Sequence, residues 1–369
     1  MDLSLSESEL ILKDAVQQFV RHEVSRETLV SMYGSGVAWR QEWLETFASA
    51  GWLGLFVPSQ LGGTDATVTM AAVLFEELGR GPVPGPVLFS SGVSALLIRA
   101  ASGPMRDALL SGIATGSEVV IPALQEPGSS WRGASMASAD VSDAGRLTCT
   151  KVFVPSADTA THFLVSLRPD NGAARCAVVP ATANGVRVRG LPGFLQANFE
   201  VTFAGVDVTR EQLLIAAAEP VADGVLAPAL VALAAYQAGG AGAVLDMSVD
   251  HANTREQFGV PIGRFQRVQD HIVRILNAAD GARWATYEAA WCIDSGRPEA
   301  GARAHLAAAI GSESYIEATN GGHEVHAGIG SDPKMGLVLY TQAARSLYQC
   351  LGTPDWHRSR MVDALGWAA

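Results

Sequence analysis

The hydrophobic period of this chain changes twice along its length, and that order narrows the folds open to it. Up to about residue 115 apolar residues recur at helical spacing. Leu10, Ile11, Ala15, Phe19 and Val20 predict a first helix to about Glu27, behind the candidate caps Ser6 and Ser8. Further helices are expected at about 39–50, stopping at Gly51, then at 67–78, 87–100 and 105–110. Near Gly116 the pattern breaks into short runs separated by Gly, Pro, Asp or Asn, at 119–121, 134–141, 152–154, 162–167, 176–179, 186–188 and 199–203. Short, evenly punctuated runs of this kind predict an antiparallel β-domain. From about Glu219 the helical period returns, with helices at about 223–254, 264–295, 299–326, 336–351 and 355–367. No helices alternate with the strands, so a parallel α/β sheet is disfavoured. The expected fold is α+β, with an N-terminal helical domain over 1–115, a middle antiparallel β-domain over 116–218 and a C-terminal four-helix bundle over 219–369.

Composition narrows the function classes. Of 369 residues, 48% are hydrophobic, enough for several layers of core, and the net charge of −11 argues against nucleic acid or an anionic membrane as partner. The acidic, polar start, residues 1–9, has neither the basic end nor the apolar run of a signal peptide, so a cytoplasmic protein is expected. Cys149, Cys176, Cys292 and Cys350 follow no C-x-x-C or zinc spacing and read as reduced core thiols. The stretch from Gly224 to Leu245 is free of charge and long enough to span a bilayer. Its Ala and Gly content, with Pro228, Tyr236 and Gln237, predicts a buried bundle helix instead. Gly239-Gly240-Ala241-Gly242 lies inside that run with no strand before it, so it reads as close helix packing and not as a dinucleotide loop. His323 and His326 flank Glu324 without a third ligand, and no metal is expected.

The most specific string runs from Arg255 to Gln269, R-E-Q-F-G-V-P-I-G-R-F-Q-R-V-Q. Physically it is a helix end, a Gly/Pro turn and a helix start. Arg255 and Gln266 flank the turn and could present a guanidinium and an amide to a phosphate. An ordinary helix corner with an exposed Arg is the simpler reading of the residues alone. The string resembles the acyl-CoA dehydrogenase signature R-x-x-F-G-x-x-I-x-x-F-Q. Other segments resemble that family in the same order: 124–128 (L-Q-E-P-G) its T-E-P-G segment, 151–156 (K-V-F-V-P-S) its strand beside the flavin, 198–208 its exit strand, and 324–330 (E-V-H-A-G-I-G) its Q-x-H-G-G-x-G segment. The resemblance implies FAD between the β-domain and the bundle, its ADP end reaching a neighbouring subunit, and α,β-dehydrogenation of an acyl-CoA. It carries a cofactor-binding role onto Arg255, Phe258 and Gln266, and more weakly onto Leu124, Gln125, Val154, Pro155, Glu324, Gly328 and Thr353.

In the resembled enzymes a glutamate removes the proton next to the thioester, and such a weak carbon acid needs a close, desolvated base. The commoner site precedes a Gly-Thr pair; counted from Gly328 it falls on Leu351, before Gly352-Thr353. The second site, counted back from Arg255, falls on Ala229, and no Asp or Glu occurs between Asp223 and Asp246. No catalytic residue is therefore assigned. Gln125 replaces the usual Thr or Ser, Pro155 a Thr, and Glu324 and Ala327 a Gln and a Gly; a carboxylate at Glu324 would repel a diphosphate. Glu313 and Glu317 share a helix face and read as solvated. Three readings follow. One is the glutamate-lacking subunit of an α2β2 heterotetramer like those of steroid side-chain degradation, completing a homologous dehydrogenase subunit and passing electrons to an electron-transfer flavoprotein. Another is a homo-oligomeric flavoprotein with other chemistry, such as flavin-dependent monooxygenation. The third is a flavin-free assembly protein.

Overall fold

The computed structural model describes residues 3–35, 39–128, 140–141, 145–167, 175–191, 198–216 and 224–367. Its elements are α1 (Glu7–Glu23), α2 (Arg26–Ser35), α3 (Gln41–Ser49), α4 (Val68–Arg80), α5 (Ala95–Ala100, continuing a π-helical turn at Leu88–Ser94), β1 (Ala101–Ser102), α6 (Arg106–Thr115), β2 (Val120–Ala123), β3 (Asp140–Val141), β4 (Arg146–Pro155), β5 (His162–Leu167), β6 (Arg175–Pro180), β7 (Val186–Leu191), β8 (Asn198–Asp207) and β9 (Leu213–Ala216). Then come α7 (Ala227–Thr254), β10 (Glu256–Gln257), β11 (Val260–Pro261), α8 (Gln266–Asp294), α9 (Ala300–His326), α10 (Leu337–Leu347) and α11 (Pro354–Ala364). The chain forms two compact units, one of Met1–Val37, Val68–Val83 and Leu230–Ala369, the other of Ala38–Thr67 and Pro84–Ala229. The N-terminal helices are divided between them: α1, α2 and α4 belong with the C-terminal helices, and α3, α5 and α6 with the strands.

In the helical unit α9 packs against α8, α10 and α11, and α4 against α1 and α8. The first helix starts on a capping box, with Ser6 Oγ accepting from Glu9 N and Glu9 Oε2 from Ser6 N at 2.7 Å. It stops at Glu23, short of the expected Glu27, because Ser25 Oγ accepts from Thr28 N (3.2 Å) and opens α2. Leu10 and Ile11, expected on its apolar face, are exposed; Val16 and Phe19 are the buried pair. Asp294 at the end of α8 caps α4, accepting from Val68 N (2.7 Å), Thr69 N (2.9 Å) and Thr69 Oγ1 (2.7 Å). Further along α4, buried Glu76 accepts from Arg283 Nε (3.0 Å) and Tyr287 Oη (2.6 Å) of α8. Two carboxylates thus lock α4 to α8 along its length.

Helix α7, which holds most of the charge-free stretch before Asp246, is long and apolar enough to cross a membrane, yet 83% of its apolar window is buried inside the fold. Its glycines have the packing role expected of them. A Cβ on Gly239 would lie 1.9 Å from the Glu76 carbonyl oxygen, and one on Gly79 1.9 Å from that of Tyr236, so α4 and α7 cross backbone to backbone.

The second unit carries a five-stranded sheet in the order β1-β9-β6-β5-β2 and a four-stranded sheet in the order β3-β4-β8-β7. Pairing is antiparallel apart from β2 with β5, which run parallel from Val120↔His162 to Ala123↔Val165. That pair departs from a wholly antiparallel expectation. β1 and β9 were not expected from the residue pattern either: Ala101–Ser102 is too short to show a period, and it becomes a strand only by pairing with Leu213–Ala216. Most of the run at 134–141 lies outside the described residues; Asp140–Val141 pairs with β4. Phe163 and Phe203 meet edge to face at 5.8 Å in the core.

Candidate functional site

In the strand-bearing unit the segment at Leu124–Glu126 and the strand at Lys151–Pro155 are brought together by a bulge. Lys151 faces Val201 and Val154 faces Phe199, so Val152 and Phe153 oppose a single residue of β8. Phe153 takes φ 52° and is half exposed, and Val152 N donates to the Gln125 carbonyl at 2.8 Å. Beneath them lies Lys151, whose side chain is 0% exposed. Its ammonium spends its three donors on Glu126 Oε1 (3.2 Å), Ser166 O (3.1 Å) and Ser166 Oγ (3.1 Å), and Ser166 Oγ donates to the Leu124 carbonyl at 3.1 Å. A buried ammonium without such partners would be costly. Here it pins both flanks of the bulge. Leu124 and Val154 are buried, Gln125 and Pro155 half-buried. Ser166 is the member that sequence reasoning missed, since an isolated Ser in an apolar strand carries no signal.

In the helical unit the signature string is not a plain helix corner. Glu256–Gln257 and Val260–Pro261 pair as a two-residue hairpin whose turn residues, Phe258 and Gly259, have φ 54° and 77°. The turn holds Phe258 93% exposed, with its ring edge to face with Phe265 at 6.0 Å. Ile262 N donates to the Arg255 carbonyl (2.8 Å), closing the hairpin base. Arg255 is exposed and enters no ion pair among the described residues. Gln266 is exposed as the first residue of α8, where unpaired backbone N–H groups and the helix dipole favour an anion.

The end of α9 reaches the same corner. His326 stacks on His251 of α7, centroids 4.4 Å apart and 20° from parallel, and His326 Nδ1 lies 2.8 Å from the Gly322 carbonyl oxygen. His326 Nε2 is buried with no partner among the described atoms. Burial, then the His326 imidazole and the Arg255 guanidinium, holds His251 below its ordinary range. Arg255 and the segment Glu324–Gly328 are therefore neighbours through two imidazoles, of which the residue pattern had not nominated His251. Glu324 and Gly328 are exposed, and a Cβ at Gly328 would meet nothing within 4 Å. No group of metal ligands occurs among the described residues.

Leu351 is 6% exposed at φ 59°, in the link between α10 and α11. Gly352 and Thr353 have structural work of their own. Thr353 Oγ1 accepts from Trp356 N (3.2 Å) as the cap of α11, and a Cβ at Gly352 would lie 2.7 Å from His357 Nε2. His357 Nδ1 lies 2.9 Å from His305 Nδ1 of α9 in a buried imidazole pair. Ala229 is 0% exposed in the first turn of α7. Glu313 and Glu317 pair with Arg358 and, at 3.1 Å, Arg274.

Six non-glycine residues among those described have positive φ: Asp65, Phe153, Ser156, Phe258, Ala327 and Leu351. Apart from Asp65, each falls in or beside a segment singled out from the sequence. Such conformations cost about 1–3 kcal/mol each and persist where surrounding structure imposes them. The donor set fits the diphosphate of a dinucleotide. That set is an exposed guanidinium with no ion pair among the described residues, a helix N-terminus and an open glycine, all on the helical unit.

Among curated proteins, the acyl-CoA dehydrogenase IpdE2 of Mycobacterium tuberculosis is 27% identical over 304 residues, 81% of this chain and 79% of IpdE2. A solved structure of the Tcur3481-Tcur3483 steroid ACAD matches with TM-score 0.84 and 26% identity over 99% of each chain. PigA in complex with FAD shares the fold with TM-score 0.87 and 22% identity over 99% of each chain. The family models for the acyl-CoA dehydrogenase N-terminal and C-terminal domains match residues 6–117 and 220–366, and the chain belongs to the acyl-CoA dehydrogenase family of flavoprotein oxidoreductases.

Proposed function

We propose that this chain is the base-lacking subunit of a heteromeric, FAD-dependent acyl-CoA dehydrogenase, and that it completes the site of a homologous partner subunit. The observation that carries this reading is the pair of apolar, buried side chains, Leu351 and Ala229, at the two positions where the resembled enzymes keep a glutamate. Neither can accept a proton. Desaturation takes a proton from the α-carbon of the thioester and a hydride from the β-carbon, and FAD, when bound, supplies the hydride acceptor. In this reading Arg255, the Gln266 helix start and Phe258 hold the diphosphate end of the cofactor, with Glu324 and Gly328 beside it. Leu124, Gln125, Val154 and Pro155 face the ring system. The carboxylate that takes the α-proton comes from the partner.

The retained Gly352-Thr353 pair is compatible with loss of the base, because helix capping and close packing require it whether or not a glutamate precedes it. The three sequence blocks at 1–115, 116–218 and 219–369 are the proposed domains. The steroid ACAD pair at 26% identity supports both the heteromeric arrangement and a steroid acyl-CoA as substrate. An electron-transfer flavoprotein is the proposed electron acceptor, and the cytoplasm the proposed location.

The test is expression of the chain alone and together with a homologous acyl-CoA dehydrogenase subunit, measuring particle mass by light scattering and flavin absorbance per protomer. A flavin-poor chain that forms a yellow, active α2β2 particle with its partner is expected. A homotetramer holding one FAD per chain and desaturating acyl-CoA unaided overturns the proposal.

A further inference from the structure

The helical unit contains a cavity of about 440 Å³ lined by α1, α2, α4, α7 and α10. None of its lining residues is among those singled out for the cofactor. Its volume lies in the range of roughly 300–1,000 Å³ typical of small-molecule sites. Its apolar floor includes the buried side chains of Val24, Leu29 and Leu339.

The charge on its walls does not balance. Arg80 pairs with Asp246 and lies 4.0 Å from Glu77 Oε2, and Glu77, 4% exposed, is also reached by Lys13 Nζ at 3.5 Å. Those four groups cancel. Arg21 and Arg26 remain at the mouth as two guanidiniums without an ion pair among the described residues; Arg26 has only the exposed Glu27 beside it in sequence. Arg26 is also held in place. A Cβ at Gly336 would lie 3.3 Å from its Nε and 3.4 Å from its Cδ, so the side-chain stem lies along the glycine that opens α10. Two surplus cations above an apolar floor match one kind of guest, an aliphatic chain ending in an anionic head. The chain displaces water from the floor, and the head takes charge-assisted hydrogen bonds from the mouth.

We infer that this cavity is a binding site for a short aliphatic carboxylate, its head held by Arg21 and Arg26 and its chain lying against Val24, Leu29 and Leu339. The site is independent of the flavin reading, since it uses none of the same residues.

Titration calorimetry on the full-length chain with hexanoate is expected to give saturable binding at one site per chain, weakening as salt is raised. Two partial ligands separate the contributions: inorganic phosphate supplies the head alone and hexanol the chain alone, and each is expected to bind at least tenfold more weakly. The double variant Arg21→Ala/Arg26→Ala changes only exposed side chains and should keep the wild-type circular dichroism while losing at least tenfold in hexanoate affinity. Absence of saturable hexanoate binding overturns the inference. So does equal binding by the double variant, or phosphate binding as tight as hexanoate.

Discussion

Ala327→Gly should stabilise the protein although it removes a methyl group and adds a flexible residue. Ala327 has φ 53° and ψ −140°, a region almost closed to residues with a Cβ. Holding it there costs about 1–3 kcal/mol, and glycine removes most of that cost. The methyl group is exposed, so no burial is lost. Against the gain stands the greater freedom of the unfolded glycine chain, about 0.4–1 kcal/mol. The balance is a net stabilisation of about 1 kcal/mol. Urea denaturation followed by circular dichroism should show a higher midpoint at unchanged slope. The neighbouring Gly328 is a control: it has no left-handed φ and open space around a Cβ, so Gly328→Ala should shift stability by no more than about 0.5 kcal/mol. A midpoint lowered by Ala327→Gly would refute the reasoning, because the backbone would then be at ease where the geometry says it is strained.

Two further outcomes are expected. Burial depresses the His305 imidazole to about 4, and burial with the His305 charge depresses His357 to about 3. The unfolded chain therefore binds these protons first, and the stabilisation is complete above pH ~6.5 and lost as pH falls toward 4 and below. For His305 it amounts to about 3 kcal/mol by pH ~4. Imidazole proton resonances followed by NMR should show the His305 and His357 rings uncharged through their ordinary range; if both titrate there, the pair is not buried as described. Lys151→Met should destabilise the strand-bearing unit by about 1–3 kcal/mol, because the contacts of one buried ammonium to Glu126 Oε1 and to both oxygens of Ser166 are lost together. A loss under about 1 kcal/mol by denaturant titration would show that the ammonium does not hold the bulge.

The helices from α7 onward were legible because each carries its own period and end signals. The expected helix at 223–254, with most of the charge-free run, is α7, and the expected 264–295 and 299–326 became Gln266–Asp294 and Ala300–His326. Counting from fixed landmarks also placed Leu351 and Ala229, since numbering along one chain needs no tertiary knowledge. Side-chain identity at those two positions, with the Arg255 string, is what the sequence alone determined about function.

Tertiary structure decided everything that depends on residues far apart. The bulge at Val152–Phe153 exists because β4 pairs with β8, a strand remote in the sequence, and Lys151 is silent until Glu126 and Ser166 arrive from two other segments. The His251–His326 stack, the His305–His357 pair and the cavity between five helices likewise join residues with no common period. Local periodicity is a property of neighbouring residues, so it can be read from the order in which they come. A partner's identity is set by the packing of whole elements, where burial and hydrogen bonding choose among many pairings that the local pattern leaves equal.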